Sequence, residues 1–315
     1  MKKALVLVMV LVGICVLSLG QEVGLHPDQV GPYQVGEESF HLEDTTRGRA
    51  FDILVFYPAI ESDFPLILFS HGFLISADAY RYYGERLASH GFVVALPRLS
   101  MDLLNMNHKE LSLDIRCAID YCIQASDDKQ SPLFSLVNKL AIGVAGHSLG
   151  GKLSMLATAG DERIRAAALL DPVDSGNPIA PDPERYPSVA PELMPKIHVP
   201  LLILGAELGS KVALLNACAP ENENYQRFFE AANPPAVEVT QLGVGHAQYA
   251  EGIGALAASA CASGDVPDAW VHNSTASYIT AFFLETLLQS RQAADWLNMR
   301  LSMDEELGAV IVRRK

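Results

Sequence analysis

The chain has 315 residues, of which 50% are hydrophobic and 19% are charged, so it can build one large α/β domain or two small ones. Its formal net charge of −14 argues against a protein that binds nucleic acid or anionic membrane surfaces through a basic patch. The acidity favours solubility and does not indicate a substrate.

The first twenty residues have the pattern of a secretory signal peptide. A pair of lysines forms the charged start, residues 4–17 are apolar, and Ser18-Leu19-Gly20 offers small residues for cleavage. The apolar run is shorter than the roughly 20 residues of a membrane span. We therefore expect residues 1–20 to be a cleaved signal, a secreted or periplasmic protein, and no stable membrane span after cleavage.

From residue 21 onward, short apolar runs alternate with segments of helical periodicity. Residues 21–50 are polar and turn-rich and predict a lead-in with one or two edge strands. The strands predicted next are 51–57, 65–69, 92–96, 140–145, 165–170, 200–204 and 237–242. The predicted helices are 77–90, 109–124, 152–159 and 274–289. This alternation predicts an α/β fold with a mainly parallel central sheet covered by helices on both faces.

Neither an internal repeat nor an interdomain linker is visible, so residues 21–315 are predicted to form a single domain. The segment 172–200 is compositionally unusual, because it holds eight of the eighteen prolines. Proline at this density is incompatible with a helix or a central strand. A long loop of this kind after a buried strand usually covers or lines a functional site.

The strand predicted at 140–145 leads into Gly146-His147-Ser148-Leu149-Gly150-Gly151, and a predicted helix follows. A strand, a G-x-S-x-G turn and a helix in that order form the nucleophile elbow of α/β-hydrolases. A serine hydroxyl is a weak nucleophile, so it must be exposed to substrate, next to a base and near backbone N–H groups. We predict that Ser148 is the nucleophile of a serine hydrolase.

The base is predicted to come late in the chain, because in α/β-hydrolases the histidine follows both the serine and the acid. His246 lies in a glycine-rich loop after the last predicted strand, which makes it the predicted base. The competitors are His198, which precedes a strand, and His272, which precedes the last predicted helix.

Two carboxylates are candidates for the acid. Asp171 ends the strand that follows the elbow helix, and Glu207 ends the next strand. Both would lie at the carboxyl ends of parallel strands, where α/β sheets place their sites. Asp174 could instead contact substrate or cap a turn. The residues alone leave the choice between Asp171 and Glu207 open.

An oxyanion hole requires two backbone N–H groups aimed at one point. Leu149, directly after the nucleophile, is one predicted donor. The other is Phe73, in the Ser70-His71-Gly72-Phe73-Leu74 turn after the strand at 65–69. A structural turn around a buried histidine is the alternative for this segment. We expect no metal ion or organic cofactor.

Removal of the leader would leave four cysteines, and an even number in an exported chain permits disulfides. Cys117 and Cys122 are five positions apart in a predicted helix and therefore point to different faces. Cys218 and Cys261 lie in irregular segments on either side of His246, so they are the predicted pair.

These segments together resemble the chlorophyllases and, more distantly, the platelet-activating-factor acetylhydrolases and cutinase-like polyester hydrolases. The resemblance runs from about residue 63 to 290. It rests on His71-Gly72-Phe73-Leu74, the elbow, Leu169-Leu170-Asp171-Pro172-Val173-Asp174 and Cys218-Ala219-Pro220. The elbow motif is shared by many hydrolases, whereas the D-P-V-D and C-A-P segments are much narrower.

The resemblance implies an α/β-hydrolase fold and hydrolysis of a carboxylic ester, which for chlorophyllases is the phytyl ester of chlorophyll. It implies a triad of Ser148, His246 and Asp171, and so favours Asp171 over Glu207. We expect a serine esterase that forms an acyl-enzyme with a small-molecule or lipid-like ester. A lipase, an acetylhydrolase-like esterase or a polyester hydrolase would use the same residues. A non-catalytic binding protein on this scaffold is the remote alternative.

Overall fold

The computed structural model of the chain describes residues 26–101, 105–177, 181–254 and 258–315. The predicted signal peptide at 1–20 lies outside these residues. None of the described helices combines the length and the apolar character that a membrane crossing requires.

The described strands form one sheet. They are β1 (Val35–Asp44), β2 (Arg49–Pro58), β3 (Phe64–Ser70), β4 (Val93–Pro97), β5 (Val137–His147), β6 (Ile164–Leu170), β7 (Leu201–Ala206), β8 (Ala236–Gln241) and β9 (Val310–Arg314). Their order is β1-β2-β4-β3-β5-β6-β7-β8-β9. The neighbouring strands β4-β3-β5-β6-β7-β8 pair in parallel. The pairs β1–β2, β2–β4 and β8–β9 are antiparallel, so the exceptions lie toward the two edges.

Helices cover both faces of this sheet. They are α1 (Arg81–Ser89), α2 (His108–Asp127), α3 (Leu149–Gly160), α4 (Tyr225–Ala231), α5 (Asp268–Leu288) and α6 (Arg291–Glu306). Side chains from α2, α3 and α4 join the core on one face, and those from α1, α5 and α6 join the core on the other. Leu66 and Leu68 of β3 belong to the first core, and Ile67 and Phe69 belong to the second. Because neighbouring residues of a strand point to opposite faces, a strand covered on both sides is apolar throughout.

The predicted α/β fold is confirmed, and each predicted strand and helix overlaps an observed element. The helix α4, the helix α6 and the strand β9 were not predicted. With seven residues, α4 is too short to show a helical period. α6 buries a narrow stripe of three apolar residues, Ala293, Leu297 and Leu301. β9 is an edge strand whose basic end is unlike the apolar central strands.

The parallel strands end level with one another at one edge of the sheet. His147 at the end of β5 pairs with Leu170 at the end of β6, and Leu170 pairs with Leu204 of β7. Ser148 therefore follows β5 beside Asp171, which follows β6. The loop after β8 reaches the same edge, as open α/β sheets arrange their binding sites.

Candidate active site

Ser148 adopts a backbone conformation that L-amino acids rarely occupy. Its φ is 56° and its ψ is −124°, between the last residue of β5 and the first residue of α3. Such a conformation costs on the order of 1–3 kcal/mol and persists only where the surroundings enforce it. Here the Ser148 N–H donates to the Leu170 carbonyl at 3.0 Å, and the Ser148 carbonyl accepts from Val173 N–H at 3.2 Å. The end of β6 thus holds the sharp turn from both sides.

The glycines of the elbow are required by close packing. A Cβ atom on Gly146 would lie 2.4 Å from the Gly150 carbonyl group. A Cβ atom on Gly150 would lie 2.1 Å from the backbone oxygen of Ser70 and 2.6 Å from that of His71. The first turn of α3 therefore rests directly on the segment 70–74, which the sequence predicts to supply the second oxyanion donor.

Ser148, His246 and Asp171 form one hydrogen-bonded chain. His246 Nδ1 lies 2.7 Å from Asp171 Oδ2, and His246 Nε2 lies 2.9 Å from Ser148 Oγ. A carboxylate can only accept, so Nδ1 carries the proton, and Nε2 then accepts from the serine hydroxyl. The other carboxylate oxygen of Asp171 accepts from Ala206 N–H at 3.1 Å, and the Asp171 side chain is fully buried.

Glu207, the competing acid, contacts a different group. It lies at the surface after β7, and its carboxylate accepts from Gly243 N–H at 2.7 Å. It therefore braces the loop that leads to His246 and does not hydrogen-bond the imidazole. Of the competing histidines, His198 is exposed before β7, and His272 on α5 lies 3.5 Å from a carboxylate oxygen of Glu251. The structure brings neither of them to Ser148.

Asp174 holds the proline-rich loop in place through hydrogen bonds. Its Oδ2 accepts from Ser188 Oγ and from the backbone N–H groups of Val189 and Ala190, at 2.8–2.9 Å. Its Oδ1 lies 2.9 Å from the buried ammonium of Lys152, four residues after the serine. Of the two roles considered for Asp174, capping a turn therefore fits its contacts better than binding substrate. The ion pair between Asp174 and Lys152 connects the proline-rich loop to α3.

The peptide between Gly72 and Phe73 is held in a fixed orientation by His71. Leu99 N–H donates to His71 Nε2 at 3.0 Å, so Nδ1 carries the ring proton and donates to the Gly72 carbonyl at 2.9 Å. Burial lowers the pKa of His71, which keeps this ring neutral. Ile75 N–H also donates to the Gly72 carbonyl, at 3.2 Å. Because the peptide is trans, the N–H of Phe73 points away from that carbonyl.

The disulfide predicted between Cys218 and Cys261 is confirmed, with the two Cα atoms 5.5 Å apart. The segment that follows Cys261 packs against the residue before His246, since a Cβ atom on Gly245 would lie 2.1 Å from the Ala262 carbonyl oxygen. Gln248 Oε1 accepts from Gly245 N–H at 2.8 Å and from Gly264 N–H at 3.2 Å. The bridge is therefore part of the support of the His246 loop.

Two buried polar side chains near His246, Tyr80 and His147, were not predicted to have a role at the site. His147 stands inside the elbow motif, so a signal for it was present in the sequence. Tyr80 is the last residue of the short helical turn Ala77–Tyr80, directly before α1, and carried no such signal. Within the described ranges, no cluster of three or more His, Cys, Asp or Glu side chains is arranged to hold a metal ion.

A model of the chlorophyllase family matches residues 28–303, which is most of the chain. The chain belongs to the chlorophyllase family. It is 25% identical to chlorophyllase-2 of Arabidopsis thaliana over 62% of this chain and 63% of that protein. It is 24% identical to chlorophyllase-1 of the same plant over 73% of this chain and 74% of that protein.

The chain is also similar to a cutinase. The chain is 26% identical to cutinase 2 of Thermobifida cellulosilytica, over 60% of this chain and 64% of that protein. The matched part spans less than two thirds of that cutinase and of Arabidopsis chlorophyllase-2. Chlorophyllases and cutinases thus share with this chain the part that contains the elbow.

Removing the disulfide should destabilise the protein. In Cys218→Ala/Cys261→Ala the unfolded chain loses a crosslink that spans 43 positions, so the free energy of unfolding should fall by about 2–4 kcal/mol. Urea unfolding measures this change. The control is Cys117→Ala, which removes a free, half-buried thiol on α2 and should cost less than about 1 kcal/mol. Equal stability of the double variant and the native protein would contradict the expectation.

Proposed function

We propose that this protein is a serine hydrolase of carboxylic esters, with Ser148 as nucleophile, His246 as base and Asp171 as acid. The observation that carries the proposal is the continuous chain from Asp171 Oδ2 through both imidazole nitrogens to Ser148 Oγ, with links of 2.7 and 2.9 Å. Membership of the chlorophyllase family, whose model matches residues 28–303, supports it.

The arrangement suits nucleophilic catalysis. As Ser148 Oγ attacks the ester carbonyl carbon, His246 Nε2 takes the hydroxyl proton and then gives it to the departing alcohol. Asp171 holds the imidazole in the tautomer that this requires and stabilises the imidazolium that forms. Water, activated by the same histidine, then attacks the acyl-enzyme and releases the acid.

The N–H groups of Phe73 and Leu149 are the proposed oxyanion donors. Leu149 opens α3, and the Gly150 residue after it rests on the Ser70 and His71 carbonyls, so the two turns are in direct contact. Donors fixed in this way need no reorganisation as the negative charge develops on the carbonyl oxygen.

The proposed substrate is an apolar carboxylic ester, with the phytyl ester of chlorophyll as the first candidate. Phe73 and Leu74 are 39% and 61% exposed, so the proposed oxyanion turn presents apolar side chains to solvent. The match to a cutinase supports a polyester or lipid ester as the second candidate. The values of kcat/KM on chlorophyll, a triacylglycerol and a polyester separate these candidates.

We further propose that residues 21–315 form a single catalytic domain that is exported after cleavage of the leader. The disulfide supports export, because such bonds persist mainly in oxidising compartments. The single sheet shared by the described residues supports one domain.

Replacing the nucleophile should abolish activity without unfolding the protein. Ser148→Ala removes one oxygen, and loss of a triad nucleophile lowers turnover by on the order of 10⁶. Hydrolysis of a nitrophenyl ester and labelling by a fluorophosphonate probe measure the loss. Labelling of the variant at the native rate would contradict the role of Ser148. Absence of any hydrolysis or labelling by the native protein would favour the non-catalytic binding protein.

The two candidate acids should differ strongly in their effect on turnover. Asp171→Asn removes the acceptor that fixes the imidazole tautomer and should lower kcat by roughly 10⁴. Glu207→Gln, the matched control on the neighbouring strand end, removes a contact to Gly243 N–H and should change kcat by less than about tenfold. A larger loss in Glu207→Gln, with both variants folded, would reverse the assignment.

A further inference from the structure

A second hydrogen-bonded chain runs behind the triad, through side chains that the proposed mechanism does not use. Gly72 N–H donates to Tyr80 Oη at 3.1 Å, Tyr80 Oη lies 2.7 Å from His147 Nδ1, and His147 Nε2 lies 3.0 Å from the His246 carbonyl oxygen. Tyr80 and His147 are both fully buried. These hydrogen bonds thus link the oxyanion turn to the backbone of His246, the proposed base.

The direction of every bond in this chain is determined. The His246 carbonyl can only accept, so His147 Nε2 must carry the ring proton. The other nitrogen of a neutral ring then accepts, so the Tyr80 hydroxyl donates to His147 Nδ1 and accepts from Gly72 N–H. A single arrangement of protons gives every polar atom in this network a hydrogen-bond partner. Buried networks that are satisfied in this way rigidify the groups they join.

His147 is suited to remain neutral while the neighbouring imidazole changes its charge. Its ring centroid lies 4.6 Å from that of His246. Burial lowers the pKa of His147 well below its ordinary value, and the charge of His246 lowers it further. Burial also raises the pKa of Tyr80, so its hydroxyl keeps its proton. The protonation states that the bonds to Gly72 and to the His246 carbonyl require are therefore compatible with uptake of a proton by His246.

The two segments that the chain joins are far apart in sequence. His147 is 67 positions from Tyr80 and 99 positions from His246. Gly72 precedes Phe73, the proposed oxyanion donor, and a Cβ atom on Gly72 would lie 3.1 Å from His147 Nδ1. A displacement of either segment would change the distance between the base and the oxyanion donors, and misplacement by about 1 Å can cost on the order of 10²-fold in rate.

We propose that His147 and Tyr80 are positioning residues that hold the His246 main chain and the oxyanion turn at the separation required for ester hydrolysis. This inference rests on the proposed function. It assigns no contact with substrate to either side chain. It also gives a reason for histidine, rather than any other buried residue, at the second position of the elbow.

The test compares variants that break single links. Tyr80→Phe removes the hydroxyl and keeps the ring that packs 5.3 Å from Phe69. His147→Asn can still accept from Tyr80 but loses the donor to the His246 carbonyl, whereas His147→Gln can place its amide nitrogen near the original Nε2. We expect Tyr80→Phe and His147→Asn to lower kcat about 10- to 100-fold with KM changed less than threefold. His147→Gln should retain more of the native kcat than His147→Asn.

Tyr278→Phe is the matched control for loss of a buried hydroxyl. The Tyr278 hydroxyl donates to Asp304, between α5 and α6, and not to the Tyr80–His147 network, so this variant should lose stability and keep its kcat within twofold. An equal fall of kcat in Tyr278→Phe and Tyr80→Phe would overturn the inference. Values of kcat within twofold of native in both Tyr80→Phe and His147→Asn, with both folded, would also overturn it.

A spectroscopic readout separates this inference from the proposed function. The proton on His246 Nδ1, bound to the buried Asp171 carboxylate, should give a low-field NMR resonance. That resonance should shift or broaden in His147→Asn and stay in place in Tyr278→Phe, whether or not the native protein hydrolyses the esters tested. An unchanged resonance in folded His147→Asn would overturn the positioning role, whereas an inactive native protein would overturn the proposed function.

Discussion

The positive-φ backbone conformation of Ser148 is the constraint on which the rest of the site depends. Two main-chain hydrogen bonds, to Leu170 and Val173, enforce this backbone conformation. The conformation therefore requires β6 to end beside Ser148. Asp171 follows Leu170 directly, and it also has a positive φ, 40°. The bond that fixes Ser148 is thus next to the residue that holds the imidazole, and the geometry of the proposed nucleophile and that of the proposed acid are coupled through one strand end.

The other half of the site is a loop with little regular structure, which several contacts hold in place. Gln248 and the disulfide segment support Gly245, and Glu207 holds Gly243. His147 reaches the same loop from the elbow, through the His246 carbonyl. A loop supported from three sides can present an imidazole at a fixed position although it follows β8 by several residues. Glu207 at one strand end thus supports this loop, whereas Asp171 at the neighbouring strand end contacts the imidazole itself.

The sequence was sufficient to predict those elements whose pattern lies within one short segment of the chain. Doubly covered strands appear as apolar runs, and the elbow appears as a glycine-serine motif, so the α/β fold and the position of Ser148 could be predicted. The acid could not be chosen from the residues alone, because Asp171 and Glu207 occupy equivalent strand ends and only their three-dimensional partners distinguish them. Tyr80 could not be found, because its contacts with Gly72 and His147 exist only after folding. The elements α4, α6 and β9 were missed for different reasons: α4 is too short to show a helical period, α6 buries a narrow apolar stripe, and β9 has a basic end.

The central claim is that Ser148 becomes acylated during ester hydrolysis. The most direct measurement is rapid mixing of the full-length protein with a nitrophenyl ester, followed by acid quenching and mass spectrometry of peptides. We expect a burst of nitrophenol close to one equivalent per protein, and an acyl group on the peptide that contains Ser148. A burst with the acyl group on another residue, or steady turnover with no acylated peptide under conditions where deacylation is slow, would contradict it.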